Sequence, residues 1–342
     1  MSNNSSKASI DFGYRLVPEG WYTPNQLLEH AVLAEKYGFK TLTVSDHFHP
    51  WTHSRAQCSF AWILITAAAE RTRNTRLGTF VTAPILRYNP AIIAQSFATL
   101  GVLYKDRIFL ALGSGEAINE VPVGYEWPSF KERVERLEEA VKVIKMLWTG
   151  SFVNFRGKYY RLRSANLYTK PERPIPLYIA ANGPTVAQIA GRYADGFVTT
   201  VSPEYASKVL FPALEKGAID VGRDPSLIDR MTEIVVSYDE DYELAEEACR
   251  YYSGALLPFV YKYAIYDPRE VEENAKFIGR EILAKKMIIA TTPEEHIERI
   301  ERYLKAGFTS IQFLSASPNE ENFIKLYGEK VLPYLRETYE KR

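Results

Sequence analysis

From Ile10 onward, short runs rich in β-branched and aromatic residues alternate with longer stretches of helical period, and few folds accommodate such a chain. "IDFGYRL" is followed by "PNQLLEHAVLAEKYG", "KTLTVSD" by "FAWILITAAAERT", "RLGTFVTAP" by "PAIIAQSFATLGVLY", and "RIFLALGSG" by "FKERVERLEEAVKVIKMLW". The pattern resumes with "LYIAAN", "GFVTT", "TEIVVSYD" and "SIQFLSA", each leading into a helical segment. Parallel strands joined by helical crossovers produce this order. Strands without strict alternation suit a sheet covered on both faces, and eight units point to a closed (β/α)8 barrel, an α/β TIM barrel, more than to an open sheet.

Two stretches exceed ordinary loop length, near residues 151–176 and 250–290, and in a barrel such insertions act as lids or substrate walls. The second contains "YYSGALLPFVYKYAIYDP", whose aromatics suit a pocket wall or a subunit interface. We therefore expect a short disordered tail over residues 1–8 and a single barrel domain over 9–342. Its 342 residues and 46% hydrophobic content support one large core. With 42 basic and 42 acidic side chains, no charge excess recommends nucleic acid or an anionic membrane as a partner. The start, "MSNNSSKASIDF", lacks the pattern of a signal peptide, and no apolar run approaches a membrane span. Cys58 and Cys249 are too few for a disulfide framework and read as two buried thiols in a cytoplasmic protein.

Ligands of such barrels bind where the strands run out at their C-terminal ends. There the second strand leads into "SDHFHPW", placing Asp46, His47, His49 and Trp51 within a few residues. An imidazole takes a proton near neutral pH, and an adjacent carboxylate can orient it. Equally, Asp46 could cap the next segment and His47 and His49 could be exposed loop residues. The fourth strand ends in "GSGEAINE", with Ser114, Gly115, Glu116 and Asn119: small residues admit a planar ligand, and Glu116 offers a second proton-handling group. Glu116 could also simply complement a helix dipole. The fifth strand ends in "AANGPTVAQIAG", a small-residue turn before a helix whose free N–H groups could take a phosphate. His47, His49 and His53 lack the spacing of a metal site, and no nucleophile has a convincing partner set. What remains is proton transfer beside a bound planar or phosphorylated ligand, hence hydride chemistry with a cofactor.

The stretches "SDHFHPW", "APILRYNPAIIAQSFATL", "GSGEAINEVPVGYEWP" and "PLYIAANGP" together resemble the luciferase-like barrel family that uses coenzyme F420. The nearest branch holds F420-dependent secondary alcohol dehydrogenases and F420-dependent glucose-6-phosphate dehydrogenases. The resemblance implies that the deazaflavin lies across the barrel mouth against Asp46, Phe80 and Val81, with a non-proline cis peptide in "GTFVTAP". It implies that Ser114, Gly115, Asn119, Ala180, Ala181, Asn182 and Gly183 receive its ring edge, ribityl chain and phosphate. It assigns His47, Trp51, Glu116 and Glu19 to catalysis, with His47 as base, and Thr200, Tyr252, Lys262 and Lys286 to the substrate.

Sugar-phosphate members of the branch set three cations around the phosphate. Lys262 and Lys286 match two of them and Pro203 stands at the third, so a small secondary alcohol is the favoured substrate and a sugar 6-phosphate the alternative. Tyr252 replaces the tryptophan usual in both branches. An FMN-dependent monooxygenase and an inactive cofactor-binding barrel are the remaining readings, and the family resemblance implies a homodimer.

Overall fold

The computed structural model describes residues 10–340; the tail expected over residues 1–8 lies outside them. Among the described residues eleven strands form, labelled in chain order. They are β1 (Asp11–Leu16), β2 (Thr41–Val44), β3 (Arg76–Thr79), β4 (Ile108–Leu112), β5 (Val153–Arg156), β6 (Arg161–Ala165), β7 (Leu177–Ala180), β8 (Gly196–Thr199), β9 (Asp229–Tyr238), β10 (Ile288–Ala290) and β11 (Ser310–Ser315).

Neighbouring strands run in the order β11-β1-β2-β3-β4-β7-β8, and β9 pairs with both β8 and β11, which closes the sheet into the expected barrel. Every pairing in it is parallel, with register fixed at positions such as Gly13 opposite Thr41 and Thr199 opposite Thr232. Closure leaves the barrel no exposed strand edge. Strand β9 outruns β8, and its free upper edge takes β10, from Ile288 opposite Val236; this added strand was not anticipated. The insertion 151–176 likewise holds an unanticipated antiparallel hairpin, β5–β6.

The helices start and stop where local chemistry dictates. Thr23 closes a capping box with Gln26 ahead of helix Pro24–Lys36, and Ser129 caps helix Phe130–Thr149 by accepting from the Glu132 N–H. Thr292 caps Pro293–Ala306, which ends on Gly307 at φ 102°. Helix Phe130–Thr149 buries Val134, Leu137, Val141, Ile144 and Trp148, a stripe at helical spacing that packs on the barrel.

Outside the strands the core is aliphatic and aromatic; inside, much of it is polar. At the N-terminal end Asp11 accepts from Thr41 at 2.6 Å and from Ser310 at 3.2 Å, while Arg76 donates to the Tyr178 hydroxyl, which donates to Asp229 at 2.8 Å. One layer up, the Gln312 side chain of β11 lies over Gly13, its partner on the adjacent β1, where any Cβ would collide with its amide. Above it Arg15 pairs with Glu233 and donates to Ser45 at 2.9 Å, with its guanidinium 4.6 Å from the Phe80 ring.

Glu320, buried at the start of helix Glu320–Leu326, accepts from the Tyr14 hydroxyl at 2.7 Å, and burial pushes its carboxyl up to about 8. Its folded value lies above the ordinary 4.5, so the native state holds a proton that the unfolded state releases. That stability is complete below the unfolded value and is lost as pH rises through the folded one. Glu320→Gln should remove this dependence. Urea unfolding at pH 5 and pH 8 should show wild type losing stability relative to the variant by on the order of 1 kcal/mol per pH unit. A pH-independent gap would show that the carboxyl is ionised in the native state.

Candidate functional site

The C-terminal ends of the strands form a rim on which the expected residues converge. His47, three residues beyond β2, donates from Nδ1 to the His49 carbonyl at 3.0 Å. A carbonyl only accepts, so Nδ1 carries a hydrogen, and in the neutral ring the lone pair sits on Nε2. Nε2 points between two carboxyl groups, 3.5 Å from Glu116 Oε2 and 4.0 Å from Glu19 Oε1. Burial raises the Glu116 carboxyl above its ordinary value, with His47 opposing, although a third of the side chain remains open to the cleft. The Trp51 ring lies 5.7 Å from the imidazole, edge to face.

Asp46 occupies the buried layer beneath. One carboxylate oxygen accepts from Thr82 at 2.6 Å and the other from Arg87 and Tyr88, both at 3.0 Å. It does not cap the following segment. Arg87 also donates to the Asp46 carbonyl at 2.6 Å and its backbone N–H donates to Glu120 at 2.9 Å. Burial pushes Glu120 up to about 7 against the pull of Arg87. Asn119 accepts from the Phe48 N–H at 2.9 Å and donates to Glu116 at 3.3 Å, so its amide ties the loops that follow β2 and β4 together.

The expected cofactor positions line one side of the rim. The Phe80–Val81 peptide is cis. Gly115 has φ 76°, a left-handed backbone closed to side chains, and Ser114 beside it is half-buried. Ala180, half-buried, and Ala181, buried, close β7, and Gly183 opens onto free space before helix Pro184–Tyr193. Asn182 accepts from Thr199 at 2.9 Å and donates to Thr200 at 3.3 Å, which joins the ends of β7 and β8.

The insertion 250–290 folds as short helices over the opposite side. Thr52 donates to the Tyr251 carbonyl at 2.5 Å, the Trp51 ring lies 5.5 Å from that of Tyr261, and the Glu272 carboxylate accepts from the His53 and Ser54 N–H groups at 3.0 and 2.9 Å. Beneath it a cavity of about 50 Å³ is bordered by Trp51, Glu116, Trp127, Val260, Tyr261 and Ile265. A second cavity, about 510 Å³ between Tyr238 and Lys330, lies on the outer surface away from these groups.

Tyr252 is buried at the base of the wall, 5.6 Å from Trp21. Lys262 and Lys286 are exposed and are not drawn into the cavity; Lys262 lies over Tyr263 at 5.0 Å, and neither makes an ion pair with Glu270 or Glu281. Cys249 is buried, but Cys58 is exposed, because the loop after Trp51 runs over the surface there. Among the described residues no cluster of three potential metal ligands occurs, and no helix is long and apolar enough to cross a membrane.

Reading the residues alone did not find Arg15, Arg87, Glu120 or Glu233. For Arg15 a signal existed: it shares the inward strand face with Asp11 and Gly13.

The barrel thus carries an imidazole between two carboxyls at its C-terminal mouth with a small-residue cradle beside it, and residues 8–310 match the luciferase-like monooxygenase family. The chain belongs to the luciferase-like family. It is 45% identical over 333 residues to an F420-dependent glucose-6-phosphate dehydrogenase of Mycolicibacterium smegmatis, covering 96% of this chain and 99% of that one. The corresponding enzyme of Mycobacterium tuberculosis is 42% identical with the same coverage. Among solved structures, an F420-dependent secondary alcohol dehydrogenase in complex with an F420-acetone adduct superposes with a TM-score of 0.92 at 41% identity, covering 95% of this chain and 98% of that one.

Proposed function

We propose that the protein is a coenzyme F420-dependent dehydrogenase that oxidises the CH–OH carbon of a secondary alcohol. The observation that carries this reading is His47, whose Nδ1 is held by the His49 carbonyl and whose Nε2 is set between Glu116 and Glu19 at the edge of a small cavity. The names of the relatives on both sides of the branch support the cofactor.

The residues present fit a deazaflavin. The left-handed Gly115, the open Gly183 and the small Ser114, Ala180 and Ala181 leave a shallow rim without bulky side chains, and the Phe80–Val81 peptide lies below it. When bound there, F420 supplies the hydride acceptor. His47 takes the hydroxyl proton at Nε2 and Glu116 and Glu19 stabilise the resulting imidazolium. Trp51 and Tyr261 wall the carbinol from water. Asp46, fully engaged by Thr82, Arg87 and Tyr88, supports the floor, and Asn119 positions Glu116.

A cavity of about 50 Å³ suits a small secondary alcohol. Pro203, buried at a helix start, supplies neither charge nor N–H, and the exposed Lys262 and Lys286 stand outside the cavity. The second reading, a sugar 6-phosphate, draws on the 45% identity to a glucose-6-phosphate dehydrogenase. We further propose a cytoplasmic homodimer. Phe60, at the cap of helix Ala61–Arg71, with Ile63 on that helix and Ile92 and Leu103 on helix Pro90–Leu103, all exposed, supply an apolar face for it.

His47→Ala should lower turnover by about a hundredfold or more while F420 affinity stays near wild type, as for a lost general base. Lost affinity with turnover intact at saturation would make His47 a cofactor ligand instead. Comparing substrates, isopropanol should reduce F420 with higher kcat/KM than glucose 6-phosphate; the reverse order establishes the sugar phosphate. F420 should bind far more tightly than FMN, and binding without turnover of either substrate would leave an inactive barrel. Light scattering at micromolar protein should return twice the monomer mass, and a fully active monomer contradicts the assembly.

A further inference from the structure

One cation at the barrel mouth has no part in the chemistry above. Arg133, on helix Phe130–Thr149, borders the same cavity as Trp51 and Glu116. Its guanidinium carbon lies 4.4 Å from the Trp127 ring centroid and 5.7 Å from that of Phe130. Nη1 donates to the Pro128 carbonyl at 2.7 Å, and Nε is buried without a hydrogen-bond partner.

Acids that could neutralise it are engaged elsewhere. Glu132 holds Arg136 at 2.8 Å, Glu135 holds Lys158 at 2.8 Å, and Glu138 holds Lys142 at 2.9 Å. Across the cavity, Glu116 is turned to His47 and Asn119, and the Tyr261 hydroxyl is held neutral, its pKa raised by burial. Burial accordingly draws the Arg133 guanidinium below its ordinary value with no charge opposing it.

A desolvated guanidinium without a counter-charge is a costly arrangement, and the outer face of the same helix shows how its other cations avoid it. At a cavity wall the cost is recovered when an oxyacid group enters, because the planar fork matches carboxylate and phosphate oxygens. The stacked Trp127 fixes the plane of the fork in advance, so little side-chain freedom is lost on binding.

We propose that Arg133 is an anion anchor that receives the carboxylate or phosphate oxygens of a ligand at the barrel mouth, through the guanidinium edge that Pro128 leaves free. Two sources share this chemistry: the carboxylates of the F420 glutamate tail, which rests on the cofactor reading above, and an acidic group on the alcohol.

Isothermal titration of the full chain, as wild type, Arg133→Gln and Arg133→Lys, separates them. The probes are inorganic phosphate, F420, and the F420 chromophore lacking phosphate and tail. Arg133→Gln should weaken phosphate binding by about tenfold or more, with part retained in Arg133→Lys. If the tail is the anion, Arg133→Gln weakens F420 by a similar factor and leaves the tailless chromophore unchanged. If the alcohol supplies it, F420 affinity stays put and KM for glucose 6-phosphate rises while that for isopropanol does not. Circular dichroism confirms that each variant is folded, and Arg133→Lys carries the test if the glutamine variant is not. Phosphate affinity, F420 affinity and the KM ratio all unchanged within about twofold in the folded variants would overturn the proposal and make Arg133 a packing residue. Failure of wild type to bind F420 strikes the cofactor reading alone, because the phosphate titration still tests Arg133.

Discussion

Arg15 carries a positive charge into the upper part of the barrel, and the arrangement around it follows from keeping that charge compensated. A buried cation stripped of one partner costs ~3–5 kcal/mol, so its neighbours are not free to vary. Glu233 of β9 supplies the counter-charge, Ser45 at the end of β2 a hydrogen bond, and Phe80 after β3 an aromatic face. Strands that are not adjacent in the sheet are thereby tied through the barrel axis. The same guanidinium reaches to 3.9 Å of Glu19, which stands 4.0 Å from His47. The lining of the barrel and the floor of the site are thus one continuous polar layer, and the ring of Phe80 belongs to both.

This explains how the barrel sustains an unusually polar interior. Each inward-facing charge has a partner on another strand: Asp11 with Thr41 and Ser310, Arg76 with Tyr178, Asp229 with Tyr178. Aliphatic packing is left to the outer face of the sheet, where helices such as Phe130–Thr149 lay down their apolar stripes.

The alternation of runs in the sequence was enough to place the eight barrel strands, because each bears a block of apolar residues that must meet a helix. The hairpin β5–β6 escaped because "VNFR" and "RLRSA" carry no such block; its tip is held by Glu135 and Glu139 on a helix, through Lys158, Tyr159 and Tyr160. Strand β10 is too short to leave a periodic trace and exists because β9 overshoots β8. At the site, "SDHFHPW" and "GSGEAINE" announced His47 and Glu116 by residue type and by position at strand ends. Their mutual distance, and the clamp of Arg87 on Asp46 some forty residues away in the chain, arise from barrel closure, which no local stretch encodes. Arg15 and Glu233 sat in plain view as charged residues within apolar strands, readable only once the inward face is known. The thiol of Cys58 went the other way, since small apolar residues in surface loops look like core residues in a composition.

The Glu272 carboxylate, gripping the backbone of His53 and Ser54 from the far insertion, carries a consequence for how enzymes built on this plan can diverge. The wall formed by the insertion and the loop bearing His47 are fastened to each other as well as to the barrel, with Thr52 bound to the Tyr251 carbonyl as a second fastening. Remodelling the wall for a larger or smaller ligand therefore drags on the loop that aims the imidazole. Descendants of such a scaffold can change what they accept only along routes that preserve those two fastenings or replace them together, so new specificities should arise by exchange of whole segments more readily than by accumulation of single substitutions.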